Sequence, residues 1–429
     1  MEPFTLNTDG TPTAPRSRPA WVRERVAHFD RKSDPRLKKN KWAIMARSPF
    51  LFYRGTNHLF WADFGSSPLL DRFGGWKKTR LWICGDAHFE NFGTFTDATS
   101  RLVYDLNDFD QSVVADYQFD LWRLGVSLVL AARENQKSPK VAHHLALECA
   151  RSYWRELKSC RWYDNVRHIP WDEEQASGHL RHFLTHARKT YGFPHLLERW
   201  TKADKSGLRF KLDGNKDLEV LPEKTKLKLE KVLLKYTDGL KPWPGGKPRV
   251  FEVLDIARRL NAGVGSESLN RYYALARVKD EGQNPYRILE AKQVVKPSPW
   301  EELPKKALRK TRELSEDSQA LRAELGCQAL SRHPDPWLGR LEFKDGEYLV
   351  KERSPYKGTL PIAQLDADVA GQLGSILARA HCRAKDSFAK NAFDLIRPDK
   401  KTFRKLVADI SMAYADQVEL DYQAFLDKV

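Results

Sequence analysis

Apolar and polar positions alternate along this chain in three blocks. The first, residues 42 to 135, opens with the aromatic, turn-bounded runs SPFLFYRG, NHLFWADF, LWIC and RLVYDLND, which predict short strands or buried connectors. It closes on DLWRLGVSLVLAARE, whose apolar stripe predicts a helix. The second block, 138 to 235, predicts helices over PKVAHHLALECARSYWRELKSC, SGHLRHFLTHARKTYG and LPEKTKLKLEKVLLKYT. A linker is expected at TDGLKPWPGGKPR (237 to 249), where Gly and Pro cluster.

The third block begins again with strands. Two extended runs flank GVGS, a turn follows at DEGQNP, and RILEAKQ reads as the next strand. LEFKDGEYLVKE predicts a hairpin turning at Asp345-Gly346. Two helices are expected after it, LDADVAGQLGSILARAHCRA and DKKTFRKLVADISMAYADQ, and SPWE (298 to 301) carries a helix-start pattern. The fold class is therefore α+β.

Composition narrows the setting. With 41% hydrophobic residues and 13 Trp, the chain has the means to bury a large core. The first twenty residues lack an apolar segment, so residues 1–41 are expected to be a loose, basic N-terminal tail and not a secretion signal. No run approaches the roughly 20 apolar residues of a membrane span. Five scattered cysteines without CxxC spacing point to free thiols in a reducing cytoplasm and give no zinc signal. The net charge of +16 favours anionic partners, nucleotides or nucleic acid, although any single basic run is most simply a solvated face.

Against that excess of positive charge, GDAHFEN (85 to 91) and NDFD (107 to 110) concentrate acids beside apolar strands. The stretch between them reads as a hairpin turning at TDATS, which brings Asp86, Asn91 and Asp108 together. Three hard oxygen donors at one point suit Mg²⁺, and a carboxylate left free of metal would orient or deprotonate a nucleophile. Taken singly, each of these residues is explained as a turn or cap; as a set beside buried strands they are not, because unpaired buried carboxylates are costly.

These residues resemble the catalytic loop of the protein-kinase-like superfamily, in particular its aminoglycoside and choline phosphotransferase branch. Asp86 and Asn91 match a Gly-Asp followed by Asn five residues on. Leu106-Asn107-Asp108-Phe109-Asp110 is similar to the metal-binding motif of that branch, and Asp116 and Asp120-Leu121 match the acids that follow it. Patches from 42 to 390, including SPFLFYRG, CGDAHFENFG, DLWRLGVS, GVGS and LARAHCRA, resemble the bacterial DUF2252 proteins, a family of unassigned function. The kinase likeness implies a two-lobe fold, but with the glycine loop far downstream of the catalytic loop it implies a circular permutation.

On that resemblance, residues 42–250 hold the catalytic part, with loop 84–91 and metal motif 105–110. Residues 251–355 form the nucleotide-binding part, and 356–429 add helices that complete the helical lobe. The roles implied are Asp86 as base, Asn91 and Asp108 as Mg²⁺ ligands with Asp110 as helper, and Gly263, Gly265 and Ser266 as phosphate donors. Lys292 would neutralise the phosphates of ATP, LVKERSP (349 to 355) would reach the adenine, and one of Glu301, Glu302, Glu313, Glu316 or Glu324 would pair with Lys292. The activity implied is ATP- and Mg-dependent phosphotransfer to an unidentified small-molecule or protein acceptor.

One departure stands out: Cys84 occupies the place where the phosphotransferases have His. An inactive nucleotide-binding protein is the alternative this raises. A basic nucleic-acid-binding protein is a further rival, without any recognisable nucleic-acid motif in support. GDAH also resembles a metallophosphoesterase element, whose later histidine motifs are absent here; His179 and His182 are expected to be surface or core histidines.

Overall fold

The computed structural model describes residues 5–6, 12–13, 18–31, 34–75, 78–205, 207–242, 247–260, 269–279, 284–344 and 346–427. Its helical body is built around the helix Gln118–Glu134, which buries 15 of its 17 residues. A helix so apolar on every side can only sit inside a protein. Around it pack the helices Pro139–Trp162, Ala367–Ala384 and Lys400–Leu426, so that segments far apart in the chain share one core. Two of these helices approach closely at Gly374, where a Cβ would lie 2.2 Å from the Cys149 carbonyl oxygen. Only glycine lets the two helix backbones meet there.

Among the described residues, the main sheet has six strands, all antiparallel. In spatial order they are Gly339–Phe343, Gly346–Glu352, Tyr286–Val294, Arg271–Val278, Phe251–Arg259 and Leu218–Glu219. The predicted 341–352 hairpin is present, with Phe343 opposite Gly346; Asp345 lies outside the described residues. One face of the sheet packs on Leu229, Leu233 and Tyr236 of the helix Glu223–Tyr236. The other packs on Leu196 and Trp200 of the helix Phe193–Trp200.

Those contacts bring the helices Phe193–Trp200 and Glu223–Tyr236, which precede the expected division at 250/251, onto the two faces of the sheet. The helices Lys305–Ser315 and Gln319–Leu330, inserted between strands, join the two units by packing on the strands Val113–Asp116 and Arg80–Ile83.

Two segments fold differently from what their composition predicts. SPFLFYRG and NHLFWADF are helices, Pro49–Gly55 and Asn57–Phe64. Pro49 occupies the first turn and Ser48 caps it, its Oγ accepting from Leu51 N at 3.3 Å. Aromatic β-preference yields here to burial of Phe50, Phe52, Phe60, Trp61 and Phe64 in the helical core. Nor are residues 18–31 and 34–41 a loose tail; the remainder of the expected tail, apart from 5–6 and 12–13, lies outside the described residues. The helices Arg18–Phe29 and Pro35–Met45 are docked by ion pairs, Arg18 with Asp63 and Asp421 (both 2.6 Å) and Lys41 with Asp30 (2.7 Å). The helix start at SPWE is real, Pro299–Glu302, but Ser298 makes no capping bond.

Candidate functional site

The strand Arg80–Ile83 pairs with Val113–Asp116, and between them the chain runs out through the loop 84–91 and back through the hairpin Phe92–Thr96 and Leu102–Leu106. This hairpin is the one predicted, and it brings Asp86, Asn91 and Asp108 together. The Asn91 side chain ties both arms: Nδ2 donates to the Asp86 carbonyl (2.9 Å) and the Asp108 carbonyl (3.3 Å), while Oδ1 accepts from Asp108 N (3.0 Å).

The loop itself is clamped from beneath. Both oxygens of the fully buried Asp120 accept backbone N–H groups, from Cys84 at 2.7 Å and from Gly85 at 2.8 Å. Gly85 turns with φ +76°, and a Cβ there would lie 2.1 Å from the Gln111 carbonyl oxygen, so the position is closed to any other residue. The Asp86 carboxylate meets the buried Arg123, whose Nε donates at 2.5 Å. Burial pushes Asp86 up to about 6 even though Arg123 pulls the other way. His88, buried beside Arg54 and Arg123, is held well below its usual value and stays neutral, with its Nδ1 unpartnered. Arg54 reaches this loop too, pairing with Glu90 at 2.5 Å.

Opposite the acids stands the sheet. Lys292 Nζ donates to Asp108 Oδ2 at 2.7 Å and also pairs with Asp110, across 184 positions of chain. None of the five glutamates expected to hold Lys292 does so. Arg271 lies directly across the strand register from Lys292 and pairs with the buried Glu290 at 2.8 Å. Burial works against ionisation of Asp108 and Glu290, but the surrounding cations outweigh it and hold both below the usual carboxylate range. Lys351 donates to the Asn107 carbonyl at 2.9 Å. Lys357, exposed at the rim of the cleft, is drawn upward by Glu290 and downward by the neighbouring Lys351, Arg353 and Arg271, which leave its ammonium below the usual range. Among the described residues neither Lys357 nor Arg353 forms an ion pair or a side-chain hydrogen bond.

The two sides enclose a cleft of about 1040 Å³ lined by Asp86, Asn91, Asp108, Asp110, Arg271 and Lys292 among others. A smaller, aromatic cavity of about 310 Å³ adjoins it, lined by Phe95, Phe109, Phe193, Trp337 and Tyr356. Asn107, Arg353 and Lys357 border both. Gly263, Gly265 and Ser266 lie outside the described residues. Among the described residues no group of three His, Cys, Asp or Glu side chains is placed to hold a metal. The donor set expected from the sequence includes the amide of Asn91, and its acids already hold a cation charge, the Lys292 ammonium between Asp108 and Asp110. That chemistry fits a hard divalent ion.

Several charged residues that line or support the cleft escaped the sequence reading: Arg123, His381, Arg271, Glu290 and Lys357. For Arg123 a signal existed, since an Arg inside the apolar run DLWRLGVSLVL must find a buried partner. His179 lies on an exposed helix, 3.7 Å from Asp366, as expected of a surface histidine. No helix among the described residues is long and apolar enough to cross a membrane.

Fold and site together define an α+β protein with a charged cleft between a helical body and an antiparallel sheet. The chain belongs to the family described as "Uncharacterized protein conserved in bacteria (DUF2252)", which matches residues 31–428. No curated protein and no solved structure matches it.

Proposed function

We propose that the protein is an ATP- and Mg²⁺-dependent phosphotransferase of kinase-like, circularly permuted build, acting on an acceptor hydroxyl. The observation that carries this reading is the 2.7 Å contact between Lys292 and Asp108, two residues that the kinase resemblance alone assigns to one nucleotide site. Supporting it, the strands Phe251–Arg259, Arg271–Val278 and Tyr286–Val294 are sheet neighbours in that order, with GVGS between the first two and Lys292 on the third.

In this mechanism the acceptor oxygen attacks the γ-phosphorus as the bond to the β,γ-bridging oxygen breaks. ADP leaves, and the hydroxyl proton passes to Asp86. A carboxyl at about 6 is ionised at pH 7 and still basic enough to take that proton. Arg123 fixes the orientation of Asp86. Asn91, Asp108 and Asp110 would hold Mg²⁺, which supplies neutralisation of phosphate charge. Lys292, Lys357 and Arg353 supply further positive charge on the sheet side, and segment 349–355 borders the space for the base.

The test is incubation with a bacterial metabolite and protein extract and ATP labelled at either the γ- or the α-phosphate. Transfer of γ-label that is lost in Asp86→Asn supports the reading. Transfer of α-label would mean that the nucleotide site serves nucleotidyl transfer instead.

A further inference from the structure

Cys84 leaves the catalytic loop without the histidine that the resemblance implies, yet the structure places an imidazole against the same loop from another helix. His381, with no exposed surface, belongs to Ala367–Ala384 and lies with Nε2 3.2 Å from Asp120 Oδ2. Its Nδ1 is 2.8 Å from the hydroxyl of Tyr153, on the helix Pro139–Trp162. Asp120 is the residue whose two oxygens hold the N–H groups of Cys84 and Gly85. A carboxylate oxygen only accepts, so Nε2 is the donor in its contact with Asp120. Burial keeps the phenol of Tyr153 protonated far above its usual range, leaving it able to donate to Nδ1.

The same helix grips the hairpin, through Arg383 and Asp105 at 2.8 Å. It is held in turn to the helix Pro139–Trp162 by Arg379 and Glu156 at 2.6 Å. Cys84 itself has no reach for this role. Its thiol, which burial keeps protonated, is taken up by the Asp108 carbonyl and the Asn91 amide, both at 3.3 Å.

We propose that His381 is a positioning residue that takes the place of the missing loop histidine. Through the chain Tyr153, His381, Asp120 it fixes the Cys84–Gly85 backbone and so the aim of Asp86 and Asn91 into the cleft. Buried chains of this kind hold a single geometry because every polar atom in them would be left unpaired in any other. The consequence for activity rests on the phosphotransferase reading; the consequence for the loop does not.

The experiment is amide hydrogen exchange by mass spectrometry on the full chain, following peptides over 84–91 and over Gln118–Glu134, in wild type, His381→Leu, His381→Gln and Tyr153→Phe. Loss of a hydrogen bond to a charged group predicts exchange over 84–91 faster by roughly tenfold to a hundredfold in His381→Leu, with the 118–134 helix unmoved. His381→Gln keeps a donor and recovers most of the protection, and Tyr153→Phe shows a smaller effect. In γ-phosphate transfer, kcat falls in the same order while KM for Mg-ATP changes by no more than about twofold.

Unchanged exchange over 84–91 in a folded His381→Leu protein overturns the proposal, as does a His381→Gln protein no better protected than His381→Leu. If His381→Leu does not fold, unchanged exchange in both other variants overturns it. A wild type that transfers no phosphoryl group sinks the functional reading, and the exchange data still decide the clamp.

Discussion

The two walls of the cleft are built on opposite plans. On the helical side the groups that shape the loop are tied down: Asn91 uses both ends of its amide, Asp120 both oxygens, and Asp86 is held by Arg123. On the sheet side Arg271 and Glu290 satisfy each other, but Lys357 and Arg353 face the cleft without an ion pair among the described residues. On the phosphotransferase reading, the difference separates two jobs. A wall that does chemistry needs fixed geometry, whereas a wall that receives a polyphosphate needs positive charge that the protein has not already neutralised.

The comparison breaks most completely at Asp108, which together with Asp110 meets the other wall through Lys292. Asp108→Ala is expected to lower kcat by roughly 10³-fold or more, since phosphoryl transfer depends on neutralised charge in this position. Initial-rate kinetics at saturating Mg-ATP check it. Asp86→Asn follows, with kcat down roughly 10²- to 10⁴-fold, the span of general-base catalysis, while calorimetric Mg-ATP affinity stays near wild type. On the sheet side the split reverses. Lys357→Ala is expected to raise KM for Mg-ATP roughly tenfold with kcat little changed, because a binding charge is lost and no reacting group is.

Acidity sharpens the contrast. With Asp86 as the proposed base, working as the carboxylate, kcat should rise with pH through about 6 and level off above it. In Arg123→Gln the midpoint should move upward, because the cation that favours ionisation is gone; a pH–rate profile of both proteins decides this. Glu290, buried against Arg271, is shifted the other way, well below its ordinary value of 4.5, and acts on stability. Its folded value is the depressed one, so its contribution is complete above about 4.5 and drains away as pH falls toward that folded value. Glu290→Gln leaves Arg271 buried without its anion and is expected to cost about 3 kcal/mol at pH 7, read from urea denaturation.

Much of the site was legible because it is local. Asp86, Asn91 and Asp108 lie on one hairpin whose turn and alternation are written in consecutive residues, and Lys292 stands on a strand with the same plain period. The strands flanking GVGS and the 341–352 hairpin were legible for that reason too.

What was not legible depends on partners far away in sequence. Arg18 looked like part of a solvated tail until Asp63 and Asp421 buried it, the latter 403 positions on. The aromatic runs at 48–64 read as short strands or buried connectors because their composition suits a sheet, and only the core they enter makes them helices. His381 and Asp120 are 261 positions apart, and neither residue alone announces the bond between them. The five glutamates after Lys292 were weighed as its partners, yet the acids that hold it come from the hairpin across the cleft.

The central claim is that Asp108 and Lys292 serve one nucleotide site. It is tested most directly by calorimetry of Mg-ATP binding to wild type, Asp108→Ala and Lys292→Ala, at moderate salt so that the general positive charge of the chain is screened. The account predicts binding by wild type only when Mg²⁺ is present, and a loss of affinity of roughly tenfold or more in each variant. Wild type that binds no Mg-ATP, or variants that bind it as well as wild type does, would contradict it.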